Sequence, residues 1–237
     1  LLAVMDRKHH WAYPAFARGE LTRAQLLVHY RHEYRVYVRD FPALLASALG
    51  LTPPVDEVRA ALAANLYEEQ TGGLSRTAGH PSLFLKMMAG LGFEPALFGD
   101  GAAPLHPAAV TYARFLRDRA AAPPWHAAVG LLTIFVEGSV NERAELAGSY
   151  TRKDGDDAVN DHPLVRHYGC SPAAMDLTRA HAAVEGGHRH DAWRMILDHA
   201  RGGDEERAVA GVCAEALRLW HAYRDGVAEE MGLARAA

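Results

Sequence analysis

His181-Ala182-Ala183-Val184-Glu185-Gly186-Gly187-His188 sets two imidazoles and a carboxylate at positions i, i+4 and i+7. A helix turns about 100° per residue, so the three side chains fall within roughly 60° of one another on one face. Neutral imidazole with carboxylate suits iron, manganese or zinc. The plainer reading of the same triplet is a solvated polar stripe, which the metal reading outweighs. His190 lies on the opposite face from His181 and is an internal control. Ser171-Pro172, an N-cap followed by a first-turn proline, launches the helix that carries the stretch.

Outward from this helix the chain reads as nearly all α. Strand-like alternation is missing, and Ala, Leu, Arg and Glu dominate. Thr22-Arg-Ala-Gln25 is a capping-box pattern opening a helix toward Gly50, with Pro42 kinking or dividing it. Pro54 starts a helix ending near Gly72-Gly73, and Pro81 starts one closed by Gly90 or Gly92. Pro107 and Pro123-Pro124 begin two more, the second predicted over 124–148. The acidic stretch 149–161 reads as loop, and a last helix runs from about Asp204 to Gly232. No repeat, low-complexity linker or second domain is legible, so residues 1–237 are expected to form one helical domain.

Composition excludes several classes. The net charge of −4 is small and basic residues are scattered, which argues against nucleic acid and anionic membranes as partners. No signal-peptide pattern and no bilayer-spanning apolar run occur. Two cysteines, Cys170 and Cys213, are too few for a disulfide framework and lack metal-site spacing, so a reducing, cytoplasmic setting is expected. The 14 histidines are the outlier, and they are spread along the chain rather than gathered in a tract.

Carboxylates stand where a core should be. On the helix after Pro54, Val58, Ala61, Leu62, Asn65, Leu66 and Glu69 form one stripe, with Glu68 about 100° away and expected to face solvent. The run Ala-Ala-Val-Gly-Leu-Leu-Thr-Ile-Phe-Val ends on Glu137. An isolated buried carboxylate costs several kcal/mol, so it must be protonated, paired or metal-bound. Glu142, on another face, is expected to be an outer or surface group. His80, before Pro81, fits either a loop histidine or a ligand. Glu69, His80, Glu137, His181, Glu185 and His188 together supply three carboxylates and three imidazoles, enough for two divalent ions at the centre of a helix bundle.

The chain resembles the haem-oxygenase-like di-iron oxidases and oxygenases. The residues that carry the resemblance are His10-Trp-Ala-Tyr13, Gly19-Glu-Leu21, Tyr30 to Pro42, Glu69, His80, Phe135-Val-Glu137-Gly-Ser and the closing His-x3-Glu-x2-His. The resemblance implies an all-α bundle of seven or eight helices. It implies two iron ions, or an iron–manganese pair, held by the six residues above, with O2 as co-substrate. The small organic substrate would be an amine, an amino acid or a carboxylic acid, an external electron donor could take part, and the chain would form a homodimer. One branch makes para-aminobenzoate from its own tyrosine; Tyr13 resembles that donor, and Tyr30, Tyr34 and Tyr37 fall in the comparable region. Their plainer role is core aromatics. Some members add a carboxylate ligand on an early helix, for which Asp40 is the candidate here.

Three other readings stand beside this one. A metal-free enzyme similar to pyrroloquinoline quinone synthase or to thiaminase would need Tyr and Arg in the closing motif, or a cysteine nucleophile with a base. Haem would need an axial ligand such as His9 or His10. A non-catalytic helical interaction module would need only that the polar cluster pairs internally.

Overall fold

The computed structural model describes residues 1–235; the side chains at 185, 186 and 188 also lie outside the described set. The N-terminal segment holds two single turns, α1 (Leu2–Met5) and α2 (Tyr13–Ala17). The first long helix, α3 (Arg23–Glu33), starts on the Thr22 capping box, with Gln25 N–H donating to the Thr22 side chain. It passes without a break into a π-helical turn, Tyr34–Val38. Then come α4 (Phe41–Leu51), α5 (Asp56–Thr71), α6 (His80–Gly90) and α7 (Pro107–Ala120). α8 (Trp125–Val129) runs into a second π-helical turn, Gly130–Val136. After the short α9 (Glu142–Leu146), α10 (Gly155–Asp161) and α11 (Pro163–Tyr168), two long helices close the fold: α12 (Asp176–Leu197) and α13 (Gly203–Glu230).

With α8 and its π turn taken together, eight of these segments have eleven residues or more, and no strand occurs among the described residues. The expected all-α bundle is what forms. Pro42 divides rather than kinks, sitting in the first turn of α4 after a break at Arg39-Asp40. The helix predicted over 124–148 stops at Val136. The 149–161 stretch is not wholly loop: Asp154 accepts from Asp157 N–H and starts α10, an acidic first turn that suits a helix N-terminus. Ser171 caps a 3-10 turn, and α12 begins one turn later, at Asp176.

α13 packs against α7, α8 and the second π turn, and Tyr112, Leu116, Leu132, Ile134, Ala216 and Tyr223 lie almost wholly out of water there. The large aliphatic side chains among them each stabilise the fold by about 1.5–3 kcal/mol when buried. On the other side α12 meets α5, α6, α8 and the same π turn. α5, α6, α12 and the turn ending at Glu137 thus face one another across a common interior. α5 can hand over to α6 sharply because Gly72, at φ +67°, takes the left-handed C-cap that a side chain disfavours.

Candidate metal centre

Where α5 ends and α6 begins, two adjacent carboxylates and one imidazole are drawn together. Glu68 is the correction to the sequence reading: it is entirely buried rather than solvent-facing. The 72–79 loop folds back over it, so that Oε2 accepts from Leu74 N–H (2.8 Å) and Ser75 N–H (3.0 Å). Its Oε1 lies 3.1 Å from His80 Nε2. Burial pushes the Glu68 carboxyl up, but bonds from Ser75, His80 and Leu74 outweigh it and hold the pKa below the usual carboxylate value. In the neutral tautomer with the proton on Nε2, Glu68 receives that proton and Nδ1 of His80 is the lone-pair donor a metal would take.

That Nδ1 is buried and points at Glu69, 2.8 Å from its Oε1. With the imidazole protonated the two form an ion pair; with it neutral, two electron-rich atoms at contact distance need a cation between or beside them. Burial works against a charged His80, but Glu69 and then Glu68 outweigh it and raise its pKa. A proton or a metal ion is the species this pair can share. His181 of α12 completes the group: its ring centroid lies 4.9 Å from that of His80, and one ligand atom each from Glu69, His80 and His181 falls within 4.8 Å of the others.

These three residues line a cavity of about 230 Å3 together with Glu137, Val136, Leu177, Val184 and Arg189. Glu137 follows directly on the second π turn, and Asn65 Nδ2, one turn before Glu69 on α5, donates to its Oε1 at 2.7 Å. The α5 stripe read from sequence thus supplies both Glu69 and the amide that aims Glu137. The remaining two of the six expected ligands, Glu185 and His188, fall outside the described side chains; α12 itself is helical across them. The control behaves as a half-turn offset requires, since His190 is exposed.

The opposite wall carries a carboxylate the sequence reading did not single out and one of the tyrosines it did. Glu33 and Tyr37 line the cavity beside Val38 and Phe41. Tyr37 donates to Glu33 Oε1 (2.9 Å), while His29 Nε2 (3.0 Å) and Arg224 Nη1 (3.6 Å) approach Oε2. Burial opposes the charge on Glu33, yet Arg224, His29 and Tyr37 hold its pKa well below the usual range. Glu33 is the early-helix carboxylate at the cavity; Asp40 instead pairs with Arg39 at 2.8 Å. Glu142 is buried, not superficial, accepting from Arg189 Nη2 (2.8 Å) and Trp193 Nε1 (2.7 Å).

Among the described residues lining the cavity, the tyrosine is Tyr37. Tyr13 is 60% exposed. Tyr30 and Tyr34 are buried against Phe84, with ring centroids 5.8 and 5.3 Å away. The cysteines are also accounted for: burial pushes the Cys213 thiol up to about 12, and it raises that of Cys170, whose neighbours are Met87 O and Met175 Sδ. His10 Nε2 is 3.0 Å from Asp225 Oδ1.

The architecture is that of the haem-oxygenase-like helical proteins. A domain of unknown function with a heme oxygenase-like fold from Shewanella denitrificans OS217 superposes with a TM-score of 0.68 at 17% identity, covering 92% of this chain and 83% of that one. The chain belongs to the iron-containing redox enzyme family, whose model matches residues 28–221. That span contains Glu69, His80, Glu137 and His181. No curated protein matches the sequence.

Proposed function

We propose that this chain is a non-haem di-iron oxidase or oxygenase that activates O2 to oxidise a small organic molecule. Glu69, His80, Glu137, His181, Glu185 and His188 would hold two irons, or iron and manganese. The observation that carries the reading is the convergence of Glu69, the buried His80 and His181, which bring one ligand atom each within 4.8 Å of the others. Mixed nitrogen and oxygen donors suit this chemistry, and Glu68 behind His80 is the outer carboxylate that fixes a ligating imidazole. Bound iron would supply the one-electron chemistry that O2 requires.

The protein's own groups do the rest. Asn65 aims Glu137, and Glu68 sets the His80 tautomer. Val38, Phe41, Val136, Leu177 and Val184 give the cavity apolar walls, and Glu33 with Tyr37 gives it a polar one. A volume of about 230 Å3 fits a small amine, amino acid or carboxylic acid. Tyr13, on the surface, supports oxidation of a separate substrate over self-modification. The high thiol pKa of Cys213 speaks against the thiaminase-like alternative. A homodimer and an external electron donor belong to the same reading. No helix among the described residues is long and apolar enough to cross a membrane.

The test is anaerobic ferrous loading, oxygen exposure, and mass spectrometry of the protein and of candidate substrates. Iron-dependent oxygen uptake that consumes an amine or acid while the protein mass stays constant is expected. A mass change at a tyrosine would replace this with self-modification, and a chain that takes up no iron would end the di-iron reading.

A further inference from the structure

We propose that Lys8 is a positioning residue for Glu137, closing with Arg189 a two-sided clasp on the π-helical turn; this rests on reading Glu137 as a metal ligand. The Gly130–Val136 turn ends in the bonds Glu137 N–H to Leu132 O (3.3 Å) and Gly138 N–H to Ile134 O (3.1 Å). The carbonyls beyond such an end have no partner within the helix. Lys8, reaching in from the N-terminal segment, donates to Phe135 O (2.5 Å), Val136 O (3.0 Å) and Gly138 O (2.6 Å). The lysine nitrogen meets three acceptors, which match the three donors of its ammonium form and exceed by one the two of its neutral form. The acceptors bracket Glu137 on both sides.

Arg189 holds the preceding pair. Its guanidinium donates to Thr133 O and, at 3.4 Å, to Ile134 O, while Glu142 balances its charge. Arg189 belongs to α12, the helix that carries His181, so the clasp ties two ligand-bearing elements together. Gly138 leaves the room: a Cβ there would lie 2.8 Å from both Arg189 Nη2 and Glu142 Oε1, and 2.2 Å from Ile134 O.

The segment bearing Lys8 is itself pinned. Asp6 pairs with Arg143 at 2.6 Å, and Arg7 O accepts from His221 Nε2 at 3.1 Å. The turn these groups grip is wider than an α turn, bonding i to i+5. Relaxing it toward i to i+4 bonding would rotate Glu137 about the helix axis and away from Asn65. Lys8 keeps the wide form by satisfying the carbonyls that such a turn leaves over.

The experiment compares the full chain with Lys8→Met, Lys8→Gln and Lys8→Arg. Hydrogen–deuterium exchange over 130–142 is measured without metal, and cobalt(II) uptake is followed by its visible spectrum. Lys8→Met should exchange about tenfold faster in that stretch with α13 unchanged, and should bind cobalt about tenfold more weakly with an altered spectrum. Lys8→Gln should fall between, and Lys8→Arg should restore most of both signals. If Lys8→Met does not fold, the Gln–Arg difference carries the test. Native exchange and native cobalt spectra in Lys8→Met, or in Lys8→Gln where that variant carries the test, would overturn the assignment, as would a Lys8→Arg no better than the apolar variant. If the native chain takes up no cobalt, the metal reading fails, and the exchange data alone then decide whether the clasp holds the turn.

Discussion

The two walls of the cavity treat buried charge in opposite ways. On the wall formed by α3 and the first π turn, Glu33 is answered within the protein by Tyr37, His29 and Arg224. On the wall formed by α5 and α6, Glu69 and His80 Nδ1 come to 2.8 Å, and His181 brings a third ligand atom to the same point. A carboxylate in a core is thus not by itself the mark of a metal. The sharper sign is the convergence of several ligand atoms, imidazole and carboxylate together, on one point.

Removing a member of the converging wall should have the largest effect. His80→Ala or Glu69→Ala should cut iron content from two per chain to one or none, and Glu137→Ala should bring it below two, by elemental analysis of protein loaded anaerobically. Retention of both irons in Glu137→Ala would strike that residue from the ligand set. Next comes the support behind the wall. Glu68→Gln leaves every proposed ligand in place but weakens the hold on His80, so iron affinity should fall about 10–100-fold while the stoichiometry at saturation stays the same. Calorimetric titration separates the two quantities.

The self-satisfied wall should respond differently. Glu33→Gln should keep its full iron content yet lose about 1–3 kcal/mol of stability, because Arg224 and His29 are left facing a neutral amide. Denaturant unfolding of the metal-free chain measures the loss. If iron content fell instead, the contrast between the walls would collapse and Glu33 would join the ligands.

How much of this was legible in the sequence depends on what holds each part. Proline and cap signals marked most helix starts, because those constraints act within a few residues; the Thr22 capping box formed as written. Periodicity put Asn65 and Glu69 on one stripe, and both reach the site. It assigned Glu68 to solvent because the 72–79 loop that buries it follows no helical phase. The π turns left no trace: Gly130–Val136 is nearly uniform apolar sequence, so a change of pitch alters no pattern. Tyr34–Val38 likewise shifts the phase just after Glu33, which is why Glu33 went unnoticed beside Asp40. Arg189 and Lys8 were invisible for a related reason, since their partners are backbone carbonyls, which every residue has.

The last expected effect is read as a pH dependence and concerns Lys8. Burial, then the charges of Arg189 and Arg224, bring its pKa from 10.5 down to about 7. Between those values the unfolded chain binds more protons than the folded one, so this group makes the fold more stable as pH rises through that window. Lys8→Met lacks the contribution. In urea melts at about pH 6 and about pH 9, the native chain should therefore gain on the variant at the higher pH. A gap that is constant or shrinks would place the Lys8 pKa near its ordinary value.

The most direct measurement is a crystal grown anaerobically with ferrous salt, with diffraction recorded on both sides of the iron edge. Two anomalous peaks are expected, one within bonding distance of His80 Nδ1 and Glu69, with Glu68 still on Nε2. An iron-free site in which His80 carries both protons and bridges Glu68 and Glu69 as an imidazolium would contradict the account.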